Sequence, residues 1–385
     1  MKTTIFIMTM LVFLLVGQLG LHSETIALPP ENFNEEDAGT QENPYQIGSL
    51  ANLRWLSETP EVWGDREQKF YFLQTEDIDA TETMYWNDGE GFRPIAYIVH
   101  FLSDGYVVDG TNQPFFGDYD GGNHKIINLF INPKKESDVQ KTVGLFSLLD
   151  GANISNIQLE DIQIYSGHEI GAIAGRAQFN SNIKNSSASG RIVGDDTTMK
   201  LGGLVGQLYR SNMDSCSSTI TIEGDENNPL FGYTGGLIGV LSGSLTNSYF
   251  RGNIKRHEVF SGGLVGMIGQ SDVQNCYVAT KEMLPQSSLP MNVGPDNQVL
   301  LRFGSISVGG INPNIKNVFF DRQSTGIRYG FDTPKIKRFW ERGTRGFRTW
   351  KMKRATTFTR RGWDFQNVWA IDPNVNDGYP YLISN

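Results

Sequence analysis

The sequence predicts an all-β chain folded as a right-handed parallel β-helix (solenoid), with an N-terminal capping helix and an aromatic C-terminal cap. Three observations predict it. The stretch SGGLVGMIGQSDVQNCYVAT (261–280) has near-copies at 234–252 (TGGLIGVLSGSLTNSYFRG) and 201–219 (LGGLVGQLYRSNMDSCSST), and worn copies at 170–190 and 142–161. A polar residue recurs in register at Asn128, Asn156, Asn185, Ser215, Asn247, Asn275 and Asn317, at intervals of 28, 29, 30, 32, 28 and 42 residues. No copy has the periodicity of an amphipathic helix. Its short apolar runs alternate with a period of two between Gly, Asn and Ser, which is strand behaviour.

A unit this short buries no hydrophobic face alone, so the copies must stack. One copy per coil brings equivalent strands into parallel sheets about 4.8 Å apart, and crossover chirality makes the winding right-handed. Each column residue follows an apolar residue two places earlier: Ile126, Ile154, Ile183, Met213, Leu245, Val273 and Ile315. A second apolar anchor precedes the later columns at Leu145, Ile173, Leu204, Leu237, Leu264 and Ile306. Asn tolerates left-handed backbone angles and bonds its own backbone, which suits a corner, and stacked amides also bond from coil to coil. The pairs Gly202–Gly203, Gly235–Gly236 and Gly262–Gly263 permit a turn or a close backbone approach. A propeller is the alternative architecture, but its blades need four strands and about 40 residues. Cys216 and Cys276 follow column residues two copies apart, with Ser248 between them. Twice the strand spacing separates their Cα atoms by roughly 9–10 Å, beyond the ~7 Å that a disulfide spans. Both are expected as buried free thiols.

Taken in order, residues 1–23 read as a secretory signal: Lys2, an apolar run from Ile5 to Val16, then Gly17, Gly20 and Ser23 as small residues for cleavage. Residues 24–42 read as a flexible linker, and 43–114 as an N-terminal cap with the first coils. There Ser49 is the expected N-cap of a helix whose Leu50, Leu53 and Leu56 recur at helical spacing. The repeats fill 115–321, with a loop insertion at 281–302 containing three prolines. Residues 322–385 hold a basic segment and the C-terminal cap, in which Trp363, Phe365, Val368, Trp369, Tyr379, Pro380 and Tyr381 are expected to plug the last coil. The expected location is secreted or cell-surface, with the periplasm as a further compartment. With no sorting motif at the C-terminal end, free secretion and anchoring are equal expectations.

The GGLVG and GGLIG cores, each followed by NCY or NSY, resemble the GLUG-motif repeats of bacterial secreted and cell-surface proteins. Some of that group are adhesin-like, and the motif also stands beside the catalytic domain of bacterial immunoglobulin-A metallopeptidases. Segments 43–58 (NPYQIGSLANLRWLSE), 115–131 (FFGDYDGGNHKIINLFI) and 362–382 (GWDFQNVWAIDPNVNDGYPYL) are similar to those that flank such repeats. The resemblance implies an architecture and hardly any activity, because the shared residues are structural.

Catalytic chemistry finds little purchase. A metallopeptidase needs HExxH, and the nearest approach, HEVFS at 257–261, has Ser261 in place of the second histidine. A glycosidase needs two facing carboxylates, whereas the repeat strands read GLVGQL, GLIGVL and GLVGMI, and acids occur singly or as neighbours such as Glu160–Asp161 and Asp195–Asp196. DYDGGNH (118–124) has the Asp-x-Asp-Gly look of a calcium loop, but it also has the residues of a tight turn and lacks the distal Glu. No cofactor and no metal is expected.

Two features point to recognition. The 281–302 insertion leaves the coil where solenoids often bind. The second is KIKRFWERGTRGFRTWKMKRATTFTRR (335–361), with eleven basic residues against Glu341 alone, in a chain whose net charge is −9. Basic residues interleaved with aromatics suit an anionic polymer, and Arg338, Trp340, Arg342, Arg345, Arg348, Trp350, Lys351 and Arg354 are the candidate binding residues. Long basic side chains also cover apolar surface, so the same segment reads as an elaborated cap. The expected function is that of an exported, non-catalytic β-helix protein acting in binding or adhesion at or outside the bacterial cell surface. Its expected partner is an anionic glycan or other polyanion, or a host or cell-surface protein. The alternatives are a carbohydrate-active β-helix enzyme (polysaccharide lyase or glycosidase) and a purely structural envelope component.

Overall fold

The computed structural model describes residues 24–383 apart from 102–104, 108–112, 135–138, 225–231, 256–259, 281, 283–291, 294–296, 299–301, 305–306, 308, 311–312, 328–329 and 331–342. The signal-like segment 1–23, most of the 281–302 insertion and the anchor Ile306 lie outside the described residues.

Three sheets wall a parallel β-solenoid, and among the described residues they hold 13, 12 and 8 strands. In sheet 1 the rungs stack Tyr119, Ile154, Ile183, Met213, Leu245, Val273 and Ile315. In sheet 2 they stack Ile126, Leu159, Ala188, Ser218, Phe250, Val278 and Phe320. Both rows point inward, and almost every member is buried. Sheet 3 runs through Val143, Ile170, Leu201 and Thr234. One continuous apolar core results, in which each fully buried Leu or Ile is worth about 1.5–3 kcal/mol. Where sheet 2 hands over to sheet 3 the coils differ in length, and the 281–302 insertion lies there, between Tyr277–Val278 and Arg302–Gly304.

The corner from sheet 1 to sheet 2 is turned by the polar column. Asn156, Asn185, Ser215, Asn247, Asn275 and Asn317 all have left-handed backbone, with φ between 45° and 56°. Their amides bond along the stack: Asn185 to Asn156 at 3.4 Å, Asn275 to Asn247 at 3.3 Å and Asn317 to Asn275 at 3.3 Å. Ser215 interrupts the series, and Asn247 donates instead to Asp214 at 2.9 Å. Asn128 does not belong to this column. Its strand, Lys125–Ile127, pairs with Gln158–Glu160, so Asn128 stands at the next corner beside Asp161 and donates to Thr81 at 2.8 Å. The alignment misplaces it because both corners take Asx residues with positive φ: 61° at Asn128 and 53° at Asp161.

One residue inside the column lies a second ladder, Ser186, Cys216, Ser248 and Cys276. The Ser186 and Ser248 hydroxyls accept the N–H of the preceding coil's Ile157 (3.2 Å) and Cys216 (3.0 Å). Both cysteines are free and buried. Burial pushes the Cys216 thiol up to about 12 and raises Cys276 as well. The paired glycines serve the opposite corner by close approach: a Cβ on Gly203 would sit 2.1 Å from the Gly236 carbonyl oxygen, and one on Gly236 would sit 2.2 Å from that of Gly263.

At the N-terminal end the expected helix is present as α1 (Leu50–Glu58), capped by Ser49, whose hydroxyl accepts the Asn52 N–H at 3.2 Å. Leu53 and Leu56 are buried in the core. Residues 24–42 are no flexible linker. Phe33 packs against Tyr45 (5.8 Å) and Trp55 (5.3 Å), the buried Asn32 amide bonds Asn43 and Pro44, and Glu24 pairs with Arg54 at 3.0 Å. A largely polar sequence hides these two anchors. Sheet 3 is closed at this end by a reversed hairpin, Ile98–Phe101 with Gly105–Val107, lying antiparallel to Val139–Val143, which blunts the sheet edge.

Two outcomes test this account. Asn275→Ala should cost about 1–2 kcal/mol in urea unfolding, since a Cβ-bearing residue without the Asn side chain pays the left-handed penalty, whereas Asn275→Gly should lose less. Equal losses would show that backbone angle is not what the column supplies. Thiol titration of the folded chain should find neither cysteine reactive, and denaturant should release both.

Candidate anion-binding face

After the last complete coil the chain re-enters sheet 2 as one more strand, Thr344–Phe347, parallel to Val318–Asp321, with Phe319 opposite Arg345 and Phe320 opposite Gly346. Phe320 points into the core, and a Cβ on Gly346 would lie 2.6 Å from its ring. Alternation then turns Arg345 outward, where it is exposed. Two short helices follow, α2 (Thr349–Met352) and α3 (Ala355–Thr359), pinned by the fully buried Met352 and Phe358.

Arg322, Arg345, Gly346, Phe347, Arg348, Trp350 and Lys351 line a cleft of about 330 Å³. Trp350 is 49% exposed, with Lys351 at 5.2 Å and Arg354 at 4.6 Å from its ring. Arg361 lies over Phe347 and Phe319 at 5.2 and 5.7 Å. Burial, together with the Arg345 and Arg360 guanidiniums, holds Arg361 below the usual arginine value. Among the described residues no carboxylate pairs with Arg322, Arg345, Arg348, Lys351 or Arg354. Among the described residues, the site therefore carries concentrated positive charge without a paired carboxylate beside an exposed indole. Of the candidate residues, Arg345, Arg348, Trp350, Lys351 and Arg354 come together here, while Arg338, Trp340 and Arg342 lie outside the described residues. Arg322 was missed, because it falls before the basic run and reaches the cleft only through the added strand.

The aromatic cap that positions this face packs sideways rather than over the end of the last coil. Tyr249, Tyr277 and Phe319 alternate with the inward Phe250, Val278 and Phe320, so they point out of sheet 2. Trp363, Trp369, Tyr379 and Leu382 cover them in a second apolar cluster. Tyr277 stacks on Tyr249 at 5.0 Å and donates to the Pro380 carbonyl at 2.6 Å. Arg251, buried beneath Tyr379 at 4.4 Å, reaches Asn376 at 2.6 Å and Asp377 at 2.8 Å. The buried Asp321 accepts from Tyr379 Oη at 2.7 Å and from the Gln323 N–H at 2.8 Å. Desolvation first, then Asp321, raises the Tyr379 phenol.

The other sequence candidates have structural occupations. Asp118 bonds Lys69 (3.0 Å) and Asn153 (2.9 Å), and Asp120 bonds the Gly122 N–H and Asn156. Glu160 pairs with Lys125 at 2.8 Å. Among the described residues no three His, Cys, Asp or Glu side chains are grouped to hold a metal ion, and no helix is long and apolar enough to cross a membrane.

A parallel β-solenoid with capped ends is thus the class that the geometry defines. Comparison with known proteins carries this further: residues 166–193 match the family model described as the GLUG motif, so the chain carries the motif that its glycine cores resemble. It is 32% identical over 170 residues to halomucin of Haloquadratum walsbyi, covering 44% of this chain and 2% of halomucin. It is 32% identical over 198 residues to an immunoglobulin A1 protease of Streptococcus sanguinis, covering 43% of this chain and 10% of the protease. The chain therefore spans a small fraction of the curated relatives it matches. Among solved structures, an immunoglobulin A1 protease-like protein of Bacteroides ovatus superposes with a TM-score of 0.56 at 18% identity, over 90% of this chain and 94% of the other. That likeness is one of fold.

Tyr379→Phe removes a donor from a buried carboxylate and should loosen the cap by about 1–3 kcal/mol. Limited proteolysis should then cut beyond residue 343 faster while the solenoid stays intact; unchanged proteolysis would place the cap's anchorage elsewhere.

Proposed function

We propose that this chain acts by binding, as an exported β-solenoid at or outside the cell surface, and that the face around Trp350 takes an anionic polymer. One observation carries the reading: five basic side chains, Arg322, Arg345, Arg348, Lys351 and Arg354, converge on an exposed tryptophan without a described acidic partner. Like charges gathered on a folded surface repel one another, and a bound polyanion relieves that cost. The signal-like N-terminus supports export. The relative in Streptococcus sanguinis, an immunoglobulin A1 protease, supports a setting outside the cell, where immunoglobulin is met. Catalysis is not part of the reading, since HEVFS at 257–261 lacks the second histidine of a zinc peptidase.

A second reading has its own support. Lys353 lies 5.0 Å from the Tyr379 ring, and Arg361 covers Phe319 and Phe347, so some of this charge serves the cap through its aliphatic stems. The two readings part on the exposed group. Neutralising Arg345, Arg348, Lys351 and Arg354 together to Gln should leave the melting temperature nearly unchanged. It should also weaken binding to heparin and to duplex DNA at least roughly tenfold and flatten the salt dependence. Salt-independent binding, or binding indifferent to the four substitutions, would overturn the proposal and leave the cap role.

A further inference from the structure

Near the N-terminal end of the solenoid, on the outer side of sheet 1, one corner puts bulky side chains where most left-handed positions hold Gly, Asn, Asp or Ser. Gly151 turns it in one coil with φ 62°, but the next two coils use Phe179 (φ 50°) and Arg210 (φ 48°). Gly151 N–H donates to Gln178 and Phe179 N–H donates to Tyr209, so the three turns start at the same place, although the Phe179 turn is one residue longer and continues through Asn180 at φ 70°. Among the described residues Phe179 is the one aromatic with positive φ, and it stays 39% exposed. A bulky residue kept in a strained conformation at an exposed place is where function is to be sought.

Phe179 is held upright by Tyr209, edge-on at 5.7 Å and 78°, and Arg210 in turn lies 5.3 Å from the Tyr209 ring. Beside it opens a cleft of about 600 Å³ lined by Asp65, Arg66, Lys69, Asp150, Phe179 and Asn180. Lys69 is committed to Asp118 at 3.0 Å and to the Gly151 carbonyl at 2.7 Å, and Asp150 accepts from Gln178 at 3.0 Å. The Arg66 guanidinium and the Asn180 side-chain amide have no partner among the described residues, while the Asn180 backbone N–H donates to the Arg210 carbonyl. Two carboxylates balance two cations here, unlike the face around Trp350, so a polyanion gains nothing from this cleft. An exposed aromatic face next to a carboxylate, an amide and a guanidinium is instead matched to a neutral ring that is apolar on its faces and hydroxylated at its rim.

We propose that this cleft binds a neutral saccharide, one sugar ring lying on Phe179 and its hydroxyls bonded by Asn180, Asp150 and Arg66. The site is separate from the basic face and does not rest on it. Saturation-transfer NMR of the full chain with cellohexaose, mannohexaose and chitohexaose, at low and high salt, tests it. The expected result is transfer from at least one of the three, unchanged by salt and by the four neutralising substitutions at the basic face. Phe179→Gly should abolish that transfer while holding or raising the melting temperature, because a φ of 50° is costly for phenylalanine and open to glycine. No transfer from any of the three, transfer that survives Phe179→Gly, or transfer that collapses with salt would each overturn the proposal. So would loss, in Phe179→Gly, of binding to a tryptophan-containing peptide with no sugar signal in the parent chain, which would assign the cleft to a protein partner.

Discussion

Parallel stacking of coils that differ in length requires each coil to change direction at the same place, and here one residue with left-handed backbone makes that change. From Asn156 to Asn317 the angle hardly varies, although the loops on the far side of the coil differ by more than ten residues. The corner fixes register, because the apolar residue two places before it then always meets its counterpart above and below. A slip of one residue would turn every inward side chain of sheets 1 and 2 to solvent. The amide bonds along the column are long, 3.3 to 3.4 Å, and contribute less than the backbone preference they accompany. Where Ser215 takes the position the turn persists with φ 53°, so the conformation is the constraint and the amide an addition to it.

A stack organised this way must still be ended, since every sheet edge offers unpaired N–H and C=O groups. The two ends are closed by different means. At the start, α1 and the segment around Asn32 and Phe33 close the core, and a reversed hairpin seals sheet 3. At the finish, the strand Thr344–Phe347 extends sheet 2 by one rung, and the cap then folds along the outside of that sheet. This sideways arrangement follows from the row Tyr249, Tyr277, Phe319, which leaves an apolar stripe on an outer wall that is otherwise polar at Gln158 and Ser187. The stripe draws the cap, and the basic side chains reach the surface on the added strand at Arg345, on α2 at Lys351 and at the helix entries Arg348 and Arg354.

The coil itself was legible in the sequence because each stacked position demands one chemistry over and over: Asn at the corner, Leu or Ile inside, Gly where carbonyls approach. What repeats is visible; what occurs once is not. Asn128 went to the wrong corner because two corners per coil make the same demand. Residues 24–42 read as a linker because two anchors, Asn32 and Phe33, are too few to leave a pattern. The cap's aromatics were legible as a cluster, but their direction was not, since Tyr249 beside Phe250 and Phe319 beside Phe320 carry apolar groups on both faces of one strand. The basic segment announced its charge, while the cleft at Arg322 depends on a strand pairing between chain positions that no local pattern connects.

The same distinction bears on the two places proposed for binding. Positions inside the coil are fixed by neighbours on both sides, and a substitution there disturbs two interfaces at once, so they have little freedom to acquire a ligand. Corners facing solvent and the strand added at the end have neighbours on fewer sides. Arg345 stands on that last strand, and Phe179 stands at a corner where the coil before it is content with glycine. At both places the residue departs from what stacking alone would select: a guanidinium without a described counter-charge in one case, an aromatic in a left-handed turn in the other. Because a repeat architecture states its structural rule many times over, such departures stand out against it, and a single chain is enough to separate the residues that build the rod from those that the rod displays.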